Sequence, residues 1–276
     1  MANELISLFG SSAYPSKLED LVDSVNRSVP FEIVTCGPDK IFSRVREIRG
    51  VPYRHIYSEL KPVQCSMSAA TQTKGQYLLH IVDDIRFVSP DALSRLREEY
   101  NSFSLMHSVP VFLSTRLRRN EVDFAESNYY LDGLESAPVP VSLFCHRKFF
   151  FDLGGFDSSF ITSMADADLV WRALDNHQAK FYLSSSIVEE KKDSRLLSLF
   201  DVYGKRDISN LRRLRGKKRI KKSFPLTSVS NAPIGPSGLW RFKSPLFRKA
   251  LKTYHWFYHR VSLKIRAIAH YALGNH

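Results

Sequence analysis

Between residues 5 and 190, short apolar runs alternate with segments whose apolar residues recur every three or four positions, and this alternation most narrows the folds open to the chain. Leu5-Ile6-Ser7-Leu8-Phe9 reads as a first strand, followed by a Gly/Ser/Pro loop and a helix carrying Leu18, Leu21, Val22 and Val25. Residues 31–36 form a second strand closed by the Gly37-Pro38 turn, residues 53–57 a third, and residues 64–74 a helix leading through Gly75 into a strand at 77–82. Ser89-Pro90-Asp91 then carries helix-start chemistry, with Ser89 as N-cap and Pro90 as first helical residue. Residues 109–142 mix apolar stretches with polar loops. A strand at 139–145 leads into a helix at 146–153 that Gly154-Gly155 ends, and strands at 180–183 and 187–190 follow a helix at Asp166. Such βα repetition implies a mostly parallel sheet between helical layers, an α/β fold.

Charge divides the chain. Residues 201–276 hold 18 Lys and Arg against 2 Asp and Glu, which leaves 22 and 26 of the totals of 40 and 28 for residues 1–200. The net +12 therefore arises wholly in the last quarter, and a boundary near residue 200 is expected between a catalytic body (1–200) and a basic, partly helical C-terminal extension (201–276). Cys36, Cys65 and Cys145 are too few and too scattered for a disulfide framework, which points to a reduced, cytoplasmic setting. Neither a signal peptide nor an apolar run near the ~18 residues of a membrane span is found.

Two acidic clusters carry the chemistry. Asp83-Asp84 follows the apolar run 77–82, where a buried strand emerges into a loop and α/β sheets place their ligands. Asp166-Ala167-Asp168 opens a helix continued by Leu169, Val170, Trp171 and Arg172. Carboxylates so placed can hold a divalent cation on a diphosphate and supply a general base. An Asp-Asp pair taken alone is equally a solvated turn. Asp168 and Arg172, four apart, are equally a helix-stabilising pair worth a few tenths of a kcal/mol. Asp157 reads as a fastener of the Gly154-Gly155-Phe156 turn, His80 as a packed strand residue, and His146 lacks partners at zinc spacing.

Taken together, Gly75-Gln-Tyr-Leu-Leu-His-Ile-Val-Asp83-Asp84, the turn Gly154-Gly-Phe-Asp157 and the helix Ala165-Asp-Ala-Asp-Leu-Val-Trp-Arg172 make a pattern. Over residues 4–195 it resembles the GT-A glycosyltransferases of family 2, which run from G-x-Y-apolar-D-D to G-G-F-D and then E-D-x-D-L-x-x-R. The resemblance implies a GT-A, Rossmann-like fold and an inverting transfer from a nucleotide-sugar donor to a hydroxyl, dependent on Mn²⁺ or Mg²⁺. It implies that Asp84 is a metal ligand, that Asp83 lies beside the nucleotide or its ribose, that Asp166 is the catalytic base, and that Asp168 and Arg172 belong to the site. Three positions depart from the family pattern. Ala165 replaces the usual Glu; residues 35–38 (Thr-Cys-Gly-Pro) replace a base-contacting Asp, leaving recognition to backbone near Gly37; and Glu189-Glu190 replaces a metal-binding His. Glu190 can substitute as an oxygen ligand or stand exposed beside Lys191-Lys192.

In the extension, Phe247, Leu251, Tyr254, Tyr258, Val261, Ile265 and Ile268 recur at helical intervals among basic residues. That amphipathic helix suits either an anionic membrane surface or the body of the protein, and a peripheral position on the inner face of a membrane would suit a glycan or lipid-linked acceptor. Arg212 to Lys222 is a second basic run, expected to be exposed. Two other functions compete. A sugar nucleotidyltransferase would need a Gly-rich basic phosphate loop, which Phe9-Gly10-Ser11-Ser12-Ala13 matches poorly; a non-enzymatic polyanion-binding protein would use the tail, although no nucleic-acid module is found.

Overall fold

Successive side chains of each central strand point to opposite faces of one sheet and are buried on both. Ile6 and Leu8 of β1 (Ile6–Ser11), Ile33 of β2 (Phe31–Gly37) and Leu79 of β5 (Tyr77–His80) point to one face, and Phe9, Val34 and Leu78 to the other. Because both faces are covered, these strands read as continuous apolar runs. The structure is a computed structural model that describes residues 4–119, 122–124, 140–177, 179–190 and 199–216.

Helix α1 (Leu18–Asp23) and α3 (Ala92–Met106) cover the first face; α2 (Pro62–Thr71), α4 (Arg147–Asp152), α5 (Ala165–His177) and α6 (Leu199–Gly216) cover the second. With β3 (Glu47–Ile48), β4 (Val51–Tyr57), β6 (Ile85–Phe87), β7 (Val111–Arg119), β8 (Val122–Phe124), β9 (Leu143–His146) and β10 (Lys180–Glu190), the ten-stranded sheet has the order β3-β4-β2-β1-β5-β9-β7-β10-β6, with β8 on β7. Strands β4, β2, β1 and β5 are mutually parallel; β9 is antiparallel to β5 and β7, and β7 pairs parallel with β10. The expected α/β fold forms, a central sheet of mostly parallel strands flanked by helices, with antiparallel pairing where β3, β6, β8 and β9 join.

Four local outcomes differ from the sequence reading. The two short strands at 180–183 and 187–190 are one, β10, with a register shift between Leu183 and Ile187. Its serines bridge the gap because Ser186 Oγ donates to the Ala92 carbonyl at 3.1 Å and Ser184 Oγ accepts from Ser186 N–H at 3.0 Å. The helix at Ser89 begins later, with Asp91 as N-cap, since Ser89 closes a turn onto Ala92 N–H first. The strand ending in Asp83-Asp84 stops at His80.

The fourth concerns the boundary at residue 200, which falls inside α6. Tyr203, Asp207 and Leu211, one helical turn apart, are buried against the body, so the described part of the basic region belongs to the core of the fold. The amphipathic stretch 247–268 and the basic run beyond Gly216 lie outside the described residues. Among the described residues no helix is long and apolar enough to cross a membrane.

Candidate active site

Parallel register brings the C-terminal ends of β1, β2, β4 and β5 to one edge: Ser11 pairs with Cys36, Gly37 with Tyr57, and Phe9 with His80. Loops that leave this edge define the site, as they do in open α/β sheets. Gly37 is fixed there by contact. A Cβ on it would lie 1.9 Å from the Ser12 carbonyl oxygen, so only glycine lets the β1 and β2 loops meet. The Gly37 carbonyl accepts from Ser58 N–H at 2.8 Å, with His55 Nε2 at 3.2 Å, so backbone recognition at Gly37 has its carbonyl already engaged. Beneath it, Thr35 Oγ1 shares bonds of 2.8 Å with both Tyr53 Oη and His55 Nδ1; burial lowers the His55 pKa and raises that of Tyr53, which keeps both neutral.

Asp83 ties β5 to the loop after β1. Its Oδ2 accepts from Ala13 N–H at 2.8 Å, Tyr14 N–H at 2.7 Å and Ser12 Oγ at 3.2 Å, two successive amides forming a small anion cradle. Asp84 has a different environment. Burial raises its pKa to about 6, the charges of Asp83 and Glu190 push the same way, and Lys17 opposes them. Glu190 reaches this point because β10 pairs with β6 in a register that sets Glu190 opposite Ile85. Thus Asp84 feels both its chain neighbour Asp83 and Glu190, which lies far along the sequence. Among the described residues, no group of three or more His, Cys, Asp or Glu is arranged to hold a metal by itself. A cation here would need phosphate or water oxygens as well, the usual arrangement for Mg²⁺.

The second acidic cluster opens α5. Asp166 lies in the first turn, its Oδ1 accepting from Ala167 N–H at 2.8 Å, and burial raises its pKa to about 6 against the pull of that bond. The turn before it is built from glycines that accept left-handed backbone: Gly155 has φ +64°, and its N–H donates to the Phe150 carbonyl at 3.0 Å to end α4. Arg172 grips this turn. Its Nη2 donates to the Gly155 carbonyl at 2.6 Å, Nη1 to the Leu153 carbonyl, and Nε to Asp168 Oδ2 at 2.8 Å, with the two side chains 8% and 4% exposed. Arg172 therefore joins Asp168 to the turn.

Phe156 packs the turn before α5 against the end of β5. Its ring meets His80, the last residue of β5, at 4.9 Å and 69°, and Phe150 at 5.2 Å and 80°. His80, packed also on Phe9 at 5.3 Å, has its pKa lowered to about 4 by burial and is neutral. Between Phe156 and α5, Asp157 Oδ1 accepts from Ser159 N–H at 2.8 Å, Gln64 Nε2 donates to the Ser158 carbonyl at 2.9 Å, and Asp207 of α6 accepts from the amides of Ile161, Thr162 and Ser163. Sequence reasoning missed Asp207. Its only signal was being one of two acidic residues in the basic quarter.

No family model matches this sequence, and no curated protein matches it. Solved structures do match in shape. Staphylococcus aureus TarS residues 1–349 align with a TM-score of 0.50 at 14% identity, over 76% of this chain and 64% of that one. The same fragment in complex with UDP-GlcNAc gives 0.51 at 15%, over 80% and 68%. Glucosyl-3-phosphoglycerate synthase from Mycobacterium tuberculosis, in complex with Mn²⁺, UDP-glucose and phosphoglyceric acid, gives 0.53 at 12%, over 79% and 81%. The chain thus spans under two thirds of the first TarS fragment, and what it shares with all three is the arrangement of strands and helices. By that arrangement the chain has the GT-A fold of the glycosyltransferases.

Proposed function

We propose that the protein is a metal-dependent, inverting glycosyltransferase that moves a sugar from a nucleotide donor to a hydroxyl of a glycan or lipid-linked acceptor. The observation that carries this reading is the placement of two acidic groups on this fold: Asp83, which gathers residues 12–14, with Asp84 beside it beyond the end of β5, and Asp166 in the first turn of α5, after a turn whose Phe156 packs on His80 of β5. The complexes of the solved neighbours with UDP-GlcNAc, or with Mn²⁺ and UDP-glucose, support the donor class.

Each residue then has a task. Gly37 and Asp83 shape the nucleoside end, Asp83 by holding residues 12–14. Asp84, with Glu190, fits a divalent cation, because the charges of Asp83 and Glu190 both oppose ionisation of the buried Asp84, and a bound positive charge would relieve that. A cation held there supplies charge neutralisation of the donor diphosphate. Asp166, ionised above pH ~6, takes the acceptor hydroxyl proton as that oxygen bonds to the anomeric carbon. The bond from the anomeric carbon to the diphosphate oxygen breaks in the same step, its electron pair leaving with the nucleoside diphosphate, and one displacement inverts the centre. Asp168 and Arg172 act through the turn they hold. The segment beyond Gly216 is the proposed contact with an anionic membrane on its cytoplasmic face.

A panel of nucleotide sugars with Mn²⁺ or Mg²⁺, followed by nucleoside diphosphate release and thermal shift, tests the reading. Asp166→Asn is expected to keep the donor-induced shift and lose turnover. A folded wild-type protein that shows neither shift nor release with any donor overturns the function. An anomeric proton signal showing retained configuration overturns the single displacement alone.

A further inference from the structure

A buried carboxylate of α6 stands outside that scheme. Asp207, 0% exposed in the middle of α6, accepts from Ile161 N–H at 3.1 Å through both oxygens, and through Oδ2 from Thr162 N–H at 2.7 Å, Thr162 Oγ1 at 3.1 Å and Ser163 N–H at 3.1 Å. Three consecutive amides aimed at one anion form a main-chain concavity of the kind that binds phosphate elsewhere. Here its anion comes from the chain itself, 44 to 46 residues on. Arg206 adds bonds of 3.2 Å to Asp207 Oδ1 and to the Ser159 carbonyl, and Asn210 Nδ2 donates to Ser159 Oγ at 3.0 Å. The loop clasped in this way ends in Met164 at φ +67°, a left-handed conformation that costs a side-chain-bearing residue about 1–2 kcal/mol. Asp166 follows two residues later.

A buried carboxylate is a weak source of stability compared with an apolar residue of the same size, since its desolvation offsets most of what its bonds return. What five bonds to one three-residue segment do supply is a single backbone conformation. We propose that Asp207 is a positioning residue for Asp166: by fixing residues 161–163 it imposes the left-handed Met164 and sets the direction in which the Asp166 carboxylate leaves the first turn of α5. Helix α6, which composition groups with a basic appendage, is on this view a working part of the transfer site. The inference rests on Asp166 being the base.

The test uses the full chain with Asp207→Asn, which keeps size but removes the charge and one acceptor oxygen. Thr162→Val, which deletes only the hydroxyl bond to Asp207, serves if the first variant does not fold. Leu211→Ala is the control, truncating a buried α6 side chain that has no polar atom with which to bond the loop. Two quantities are read: the ¹³C titration midpoint of the Asp166 carboxyl, and kcat and donor KM separately. Asp207→Asn is expected to move the Asp166 midpoint by about half a unit or more and lower kcat by about 10- to 100-fold with donor KM within about twofold, as misplacement of a reacting group does. Thr162→Val shows the same pattern more weakly, while Leu211→Ala lowers the melting temperature and moves neither quantity. An unchanged Asp166 midpoint and unchanged kcat in folded Asp207→Asn overturn the proposal. Wild-type turnover by Asp166→Asn overturns the base assignment instead, and the titration arm then still decides whether Asp207 fixes that carboxylate.

Discussion

Asp166 and Asp84 are held in environments that favour their neutral forms, which gives each a stability signature as well as a role. For Asp166 the folded pKa of about 6 exceeds the ordinary 3.8, so its favourable contribution is complete below pH ~4 and is lost as pH rises through 6. Asp166→Asn should therefore lower turnover by roughly 10²- to 10⁴-fold yet stabilise the protein at pH 7.5 by on the order of 2 kcal/mol, with little gain at pH 4. Melting curves at the two pH values check the sign, and equal differences at both would refute the environment assigned to Asp166. Turnover by the wild type should rise with pH through about 6, as the base ionises. Asp84 carries a second expectation, because ligands bind metal only when deprotonated. Mn²⁺ should raise the melting temperature more at pH 7.5 than at pH 5, and Asp84→Asn should abolish that increment; an unaltered increment would remove Asp84 from the cation site.

At the scale of elements, the turn between α4 and α5 decides whether the second cluster is in place. Arg172 alone spans Leu153, Gly155 and Asp168, so Arg172→Met leaves a buried Asp168 without its cation. Breaking a buried pair in this way costs about 3–5 kcal/mol, and adding Asp168→Asn should recover part of it. Urea midpoints measure both, and a loss below about 1 kcal/mol for the single variant would show the clamp to be dispensable. Gly155→Ala should cost at least about 1–2 kcal/mol from its positive φ, because the added Cβ also meets the flexible end of Met67 at 2.6 Å and the buried Phe150 ring at 3.0 Å. This turn was legible in the sequence: Gly-Gly announces a helix end, and Asp-x-Asp-Leu a helix start. Strand β6 and the serine bridge of β10 were not, because three residues carry too little periodicity and the Ser184 and Ser186 hydroxyls find their partners only in the folded chain.

Across the whole molecule, the same distinction separates charge from packing. Deleting residues 199–276 removes Tyr203, Asp207 and Leu211 from the core and should yield a chain that melts early and aggregates, whereas deleting 217–276 keeps all three. If the segment beyond Gly216 is the membrane contact, only the full chain should sediment with anionic vesicles, and binding by the shorter form would reassign that contact to the body. Sequence alone determined the βα alternation, the fold class and the two acidic clusters with the glycine turn between them, because periodicity and turn chemistry act over a few residues. Tertiary structure decided the rest. Placing Glu190 beside Asp84 took strand register, Phe156 met His80 only across the core, and the charge-rich α6 could supply the carboxylate that fixes the loop before Asp166 only once its one buried stripe found the body. Such contacts join residues tens of positions apart, and only the closed three-dimensional chain brings them within hydrogen-bonding reach.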